Sequence, residues 1–364
     1  MKAFPLKSIS LEKAQQFQFK LVDEITKEFS GYQILAQGDL GLYPGINKPQ
    51  ATAKVERVIA NFFDAEDAIF VRGAGTAAIR EALASTTKSG EVILLHTSPT
   101  YPTTITSLDQ LGVKKVYANF NDKEDLISKL KENKDIKTVL IQYTRQSLSD
   151  SYDIKEVIQI IKENSQAKIV TDDNYAIMKV DKIGSQLNAD LSCFSMFKLL
   201  GPEGIGCVVG KKGLIDKIKE FHYSGGSQIQ GFEAMNALRS LVYAPVSLAI
   251  QALEIEKIAK RLNDNEVKEV KRAVIVNAQS KVVLIEFKEA IAQAFLEEAA
   301  NLGAAPYPIG AESKYEVAPM FYKLSGTMLA KSKEYKTHWV RINPMRSGSD
   351  TVIRIIKAAI KKVA

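Results

Sequence analysis

The 364-residue sequence predicts an α/β protein: a three-layer αβα large domain built on a mainly parallel sheet, followed by a small C-terminal α+β domain. Three observations carry this. Short apolar runs alternate with stretches of helical period through the first two thirds of the chain, the signature of βαβ units whose sheet is covered on both faces. The chain is too long for one small core, which calls for a second domain. After residue 262 the alternation gives way to a looser pattern of strand, helix, strand and helix.

In chain order, Leu11, Phe17, Leu21, Ile25 and Phe29 are spaced for one face of a helix over 11–29. Residues 31–50 contain Gly31, Gly38, Gly41, Pro44, Gly45 and Pro49 and read as a long irregular segment, a kind of loop that tends to serve function. A helix over 52–63 follows. Strands are predicted at 68–71, 92–95, 114–117, 138–142 and 168–171, with helices at 77–85, 103–111, 123–132 and 153–163. Two more strands, 191–195 and 206–209, close the large domain. A helical stretch from Phe232 to about Leu262 leads into strand 282–287, helix 290–301, strand 339–343 and helix 350–363. The division is therefore residues 1–50 as an N-terminal helix and lining segment, 51–250 as the large domain, and 251–364 as the small one.

Composition narrows the function. The two cysteines, Cys193 and Cys207, belong to no C-x-x-C or Cys/His cluster, which argues against a zinc site or a disulfide framework. No metal is expected. The net charge is +7, but the lysines of 123–137 and 257–271 are mixed with Asp and Glu as on solvated helix faces, so no nucleic-acid partner is expected. No apolar run of about 18 residues marks a membrane helix, and residues 1–10 lack a signal-peptide core, which makes the cytoplasm the expected compartment.

Three short motifs carry chemistry. Ser195-Met196-Phe197-Lys198 follows an apolar strand and precedes a Gly/Pro-rich turn. A lysine at the carboxyl end of such a strand projects into the crevice where parallel sheets bind ligands, and desolvation makes its amine a nucleophile toward aldehydes. Taken alone the tetrapeptide also fits an exposed strand-end lysine. Thr171-Asp172-Asp173-Asn174-Tyr175 follows another strand and offers a carboxylate for a protonated ring nitrogen, or an ordinary cap. Gly73-Ala74-Gly75-Thr76 opens a helix after a strand, where free N–H groups suit a single phosphate. It lacks the lysine of a P-loop and the ribose-binding acid of a dinucleotide site.

In this order the motifs resemble fold-type I pyridoxal phosphate (PLP) enzymes, the superfamily of aspartate aminotransferase and cystathionine γ-lyase, and most closely its class V aminotransferase and Cys/Met-metabolism branches. The resemblance spans roughly residues 40–350 and implies PLP as cofactor. It gives Lys198 the Schiff-base role, Asp172 the pyridine-nitrogen role as first residue of D-x-x-Y, and Ser195, with Gly75 and Thr76, the phosphate role. Asn174 joins the cofactor-binding set, and Asp173 is the neighbour one register away. Tyr101, in Tyr101-Pro102-Thr103-Thr104, takes the ring-stacking role, with His96 as competitor. Arg341, in Trp339-Val340-Arg341-Ile342-Asn343, takes the substrate carboxylate, with Arg346 second. Gln142 and Arg145 are candidates near the ring's phenolic oxygen. Tyr43 matches a Tyr-Ser-Arg segment that reaches a partner subunit's phosphate, although Gly45 replaces the arginine. The stretch from Gly225 to Leu241 resembles one that lies near the active site at the subunit boundary.

The resemblance thus implies a homodimer, or a dimer of dimers, acting on a small amino acid. Lys198 carries the α-proton after releasing the cofactor to the substrate amine. The expected reaction is aminotransferase-like, with a C–S lyase of β- or γ-elimination type as the alternative. A nucleotide-binding α/β protein and a non-catalytic regulator on the same fold are the readings outside this chemistry.

Overall fold

Strands buried on both faces should be mainly apolar at their centres, and the central strands of the large domain carry such runs, Val139–Ile141 and Ile169–Val170 among them, with Thr138, Thr171 and Ser192 as buried polar exceptions. The computed structural model describes residues 3–145, 147–278, 280–310, 312–329 and 332–363. Its larger sheet comprises β1 (Asp67–Arg72), β2 (Val92–His96), β3 (Lys114–Ala118), β4 (Ile136–Gln142), β5 (Lys168–Asp172), β6 (Leu191–Ser195) and β7 (Ile205–Gly210). The spatial order is β1-β7-β6-β5-β4-β2-β3. β6, β5, β4, β2 and β3 pair in parallel, whereas β7 runs antiparallel to β6 and to β1. The predicted three-layer, mainly parallel architecture is therefore observed.

The alternation of side chains sorts each strand between two cores. Ile93, Leu95, Leu140, Val170 and Cys193 pack with helices Ala74–Thr86 and Lys212–Phe221. Leu94, Val139, Ile141 and Ile169 face the other way, against helices Lys123–Glu132 and Ile154–Asn164. Asp122 and Asp153 start those two helices by accepting backbone N–H groups of the first turn. Toward β1 and β7, Phe70, Phe194 and Cys207 meet helices Leu11–Glu28, Gln50–Phe62 and Gly231–Asn263.

The smaller sheet is antiparallel, in the order β10-β11-β9-β8, and comprises β8 (Val270–Ala278), β9 (Ser280–Phe287), β10 (Met320–Tyr322) and β11 (Trp339–Asn343). Val283, Ile285, Val340 and Ile342 bury one face beneath helices Ala292–Asn301 and Ser349–Val363. Helix Gly231–Asn263 serves both cores: Ala234 to Leu248 belong to the large-domain cluster and Ile255 to Leu262 to the small one. This helix is also long and apolar enough, by length and composition, to cross a membrane. That qualifies the reading that no segment could, though much of its apolar surface is buried against these two cores.

Two further expectations change. The lysine-rich stretch 257–271 is not one helical face: the helix ends at Asn263, Asn265 adopts a left-handed φ of 65°, and β8 begins at Val270. The segment 31–50 is not wholly irregular, because Ser30 and Gln33 close a capping box on a short helix, Gly31–Leu35. Past it, Gly38 has φ 107°, and a Cβ there would lie 2.4 Å from the backbone of Gly231. Asp39 accepts the N–H groups of Gln50 and Ala51 through its carboxylate, and that of Gly231 through its carbonyl. The segment is thereby locked to the start of the long helix.

A buried ion pair joins this region to the sheet. Lys48 Nζ lies 2.5 Å from Glu56, whose other oxygen accepts the Phe70 N–H of β1 at 2.9 Å. Removing one partner strands the other charge away from water. Glu56→Ala is expected to destabilise the large domain by about 3–5 kcal/mol. Arg57→Ala, which removes the exposed pair with Glu28, should change stability by less than about 1 kcal/mol. Denaturant unfolding of the two variants checks the contrast.

Candidate active site

The carboxyl ends of β4, β5 and β6 open on one cleft, where parallel sheets place ligands. Its empty volume, open mouth included, is about 790 Å³. Gln142, Asp172 and Ser195 line it from the three strand ends, and Lys198 enters from the 3₁₀ turn Met196–Leu199. Gly75 and Thr76 line it from the first turn of helix Ala74–Thr86, and Tyr101 from the start of helix Pro102–Leu111. Asn174 and Tyr175 complete the set on the loop after β5. Eight residues singled out from scattered motifs are thus brought together: Gly75, Thr76, Tyr101, Gln142, Asp172, Asn174, Ser195 and Lys198.

Lys198 Nζ donates to Tyr175 Oη at 2.8 Å and to the Gly310 carbonyl at 3.5 Å. Burial pushes its pKa below the ordinary lysine value, while the charges of Asp172, Glu312 and Glu316 push up and that of Lys179 pushes down. Asp172 is raised by burial, against the bonds it accepts from Asn174 and the nearby Lys198 charge. Those bonds come from the Asn174 backbone at 3.1 Å and its side-chain amide at 2.7 Å.

Register matters here, and the strand resolves it. Asp173 is fully buried and turned away from the cleft, accepting from Thr171 Oγ1 at 2.8 Å and the Gly184 N–H at 3.3 Å. Burial raises its carboxyl to about 7. Asp172 is the one of the pair that lines the cleft.

At the helix start, Gly73 takes φ 107°, and the N–H groups of Gly73 and Ala74 both donate to the Gly204 carbonyl. Gly75 is required by a close approach: a Cβ there would sit 2.1 Å from Asn174 Oδ1. Asn174 Oδ1 is buried without a hydrogen-bond partner among the described residues. The glycine therefore admits the loop that carries Asn174 and Asp172 against the helix N-terminus.

His96 and Tyr101 part company. The His96 ring stacks on Phe120 at 5.0 Å, accepts the Phe120 N–H at Nδ1, and sets Nε2 3.3 Å from Asp150. Of the two, Tyr101 lines the cleft, while His96 lines a small adjoining pocket that shares Gln142 and Asp172 with it. Arg145 also turns away, donating to the carbonyls of Tyr152 at 3.0 Å and Phe4 at 2.5 Å.

Arg341 and Arg346 do not line the cleft. The Arg341 guanidinium lies 4.0 Å over the Tyr322 ring and donates to the Lys323 carbonyl at 3.3 Å. Arg346 donates to Gln251 Oε1 at 2.7 Å and to the Glu312 carbonyl at 3.3 Å. Burial pushes both guanidiniums below their ordinary value. Tyr43 is half exposed and also lies outside the cleft, in a bridge with Lys48. The Gly225–Leu241 stretch packs on segment 38–42 rather than on the cleft.

Sequence reasoning missed Tyr175, although the D-x-x-Y pattern contains it, and it missed the cleft-lining Thr103, Thr144, Phe197, Ile309 and Gly310. Ile309 and Gly310 arrive from a turn-rich segment with no periodicity, so no pattern pointed to them.

The donor set suits PLP. A helix start with the Thr76 and Ser195 hydroxyls offers a seat for phosphate. A carboxylate stands on the strand-end floor for a protonated ring nitrogen, and a desolvated amine stands for the aldehyde.

The comparisons with known proteins agree. A family model described as Aminotransferase class-V matches residues 21–239, and one described as YhfS-like, C-terminal domain, matches residues 256–356. Uncharacterized protein YhfS of Escherichia coli is 48% identical over 100% of both chains. The crystal structure of that organism's pyridoxal-5'-phosphate dependent protein YhfS has a TM-score of 0.98, again at 48% identity and 100% coverage of both chains. Cystathionine gamma synthase from Xanthomonas oryzae pv. oryzae reaches a TM-score of 0.70 at 16% identity, over 95% of this chain and 98% of its own, a likeness of fold alone. A probable cysteine desulfurase of Haemophilus influenzae is 30% identical over 104 residues, 29% of this chain and 23% of its own.

Fold and family together define a PLP-dependent enzyme of fold type I, the class that the motif order resembled. Within it, the chain belongs to the class-V aminotransferase family.

The electrostatics of Lys198 give a signed expectation. An amine attacks an aldehyde only when neutral, so a depressed pKa keeps Lys198 reactive at lower pH than an ordinary lysine. Asp172 raises that pKa, so Asp172→Asn should move the midpoint of capture to still lower pH. Reductive trapping of benzaldehyde on Lys198 across a pH series, read by mass spectrometry, measures this. An upward shift, or none, contradicts the geometry.

Proposed function

We propose that this protein transfers an amino group from a small α-amino acid, with PLP held at Lys198. The observation that carries the reading is the company of the amine: Lys198 is desolvated, bonded to Tyr175, and shares its cleft with Asp172 and a helix N-terminus. Gly75, Thr76 and Ser195 would hold the phosphate, Asp172 the ring nitrogen with Asn174 bracing its carboxylate, and Tyr101 the ring face. Bound there, PLP supplies an electron sink for charge developing on the substrate α-carbon.

The chain's own residues do the rest. The Lys198 amine, its pKa lowered by burial, takes the α-proton and returns it. Tyr175 Oη orients that amine. Arg341 is the proposed carboxylate anchor, because the cleft-lining Tyr175 is among the groups acting electrostatically on it, with Arg346 second. Gln142 stands at the end of β4 as a polar contact in the same cleft.

A homodimer belongs to the same proposal. Tyr43 lies outside its own cleft on a segment whose Tyr32, Leu35, Leu40 and Ile46 are exposed. A second copy would cover this surface and receive Tyr43.

A C–S lyase is the second reading. What favours it is Tyr101 in the cleft wall together with the fold shared with cystathionine gamma synthase. Removal of sulfur onto a protein thiol fits less well. Cys193 and Cys207 are both fully buried in strands, and burial pushes both thiols far up, so neither offers a thiolate to the cleft.

Two measurements test the proposal. Purified protein given PLP should turn yellow, and Lys198→Ala should not. In a single turnover with an amino acid, transfer leaves stoichiometric pyridoxamine phosphate and a 2-oxo acid, whereas elimination releases ammonia. Protein that stays colourless with PLP overturns the reading.

A further inference from the structure

Beside the cleft lies a second buried charge centre. Glu312, only 1% exposed, accepts hydrogen bonds from Lys179 Nζ, from Ser280 Oγ, and from Gln251 Nε2 at 2.8 Å. Gln251 Nε2 also donates to Asn343 Oδ1 at 3.0 Å, and its Oε1 accepts from Arg346. The contributors come from the loop after β5, the long helix, β9 and β11, so one carboxylate ties the large domain to the small one. Glu312 adopts φ 77°, a left-handed conformation that a residue with a side chain takes only when its surroundings impose it.

The same segment reaches Lys198. Glu316 folds back to accept the N–H groups of Ile309 at 2.8 Å, Gly310 at 3.2 Å and Ser313 at 2.7 Å. Gly310 presents its carbonyl to Lys198 and packs so closely on Phe197 that a Cβ would lie 2.0 Å from the ring. On the other side, Lys179 sits four residues after Tyr175, with Nζ 5.6 Å from the ring centroid. The two groups that hold the Lys198 amine, Tyr175 Oη and Gly310 O, are thus borne by the two chain segments that the Lys179–Glu312 pair joins.

A buried pair of this kind is a poor source of stability, because desolvating both charges offsets most of their attraction. What it supplies is a fixed register. We propose that Lys179 and Glu312 form a positioning pair that holds Ile309 and Gly310, with residues 312–316, against Lys198, setting Tyr175 and the Gly310 carbonyl about its amine. The proposal rests on Lys198 being the reactive amine, and it extends that reading to two residues outside the cleft lining.

Charge signs make it testable. The charged groups acting on Lys198 are Asp172, Glu312 and Glu316, which raise its pKa, and Lys179, which lowers it. With benzaldehyde trapping as the probe, Glu312→Gln should shift the capture midpoint to lower pH and Lys179→Met to higher pH. Damage to the fold alone would move both in one direction or neither. Glu312→Gln strands a buried lysine and can fail to fold, so the Lys179→Met/Glu312→Gln double variant is the companion measurement. It should unfold at close to the parental denaturant midpoint, yet the amides of Ile309, Gly310 and Ser313 should exchange with deuterium on the order of tenfold faster. Parental exchange in the double variant, or single-variant shifts of the same sign, overturns the proposal. Neither readout requires PLP, so a failure of the cofactor assignment would be seen separately, as a parental protein that never turns yellow.

Discussion

An amine taken out of water must be held by neighbours that do not fully restore its charge, and the structure around Lys198 meets that constraint. Burial moves the lysine toward neutrality. Tyr175 Oη and the Gly310 carbonyl fix its position as uncharged acceptors, and Asp172 remains near enough to oppose the shift without cancelling it. A closer carboxylate would keep the lysine protonated and inert toward an aldehyde. With no partner at all it would be disordered or driven to solvent.

The fold supplies this arrangement through a simple topological rule. Because β4, β5 and β6 run parallel and both their faces are covered, their carboxyl ends emerge at one edge. Gln142, Asp172 and Ser195 occupy those ends. The glycine at position 75 lets the Asn174 loop approach the helix start, so the proposed phosphate seat and the Asp172 carboxylate share a wall. The small domain completes the cleft wall with Ile309 and Gly310, whose N–H groups donate to Glu316.

Much of this was legible in the sequence, and the reasons are physical. The parallel strands are short, have apolar centres and are mostly separated by helices of clear period, so their ends fall within a few residues of the expected positions. Motifs fixed to those ends, such as Asp172 and Lys198, inherit that accuracy. The small domain was harder to read. β8 follows a lysine-rich helix end and was merged with it, and β10 is three residues long. His96 and Arg145 carry the right chemistry at plausible positions, but their orientation depends on Phe120, Asp150 and the Tyr152 carbonyl, partners that no local pattern names. The Lys179–Glu312 pair spans 133 residues and had no sequence signature.

The central claim is that Lys198, and not another amine near the cleft, carries the cofactor. Lys179 is the natural competitor, being a second partly buried lysine beside Tyr175, but its Nζ is committed to Glu312. Borohydride reduction of the PLP-loaded protein, followed by peptide mass mapping, tests this most directly. The account predicts one phosphopyridoxyl group per chain, on the peptide containing Lys198. A label on Lys179, or labels scattered over surface lysines with Lys198 unmodified, would contradict it.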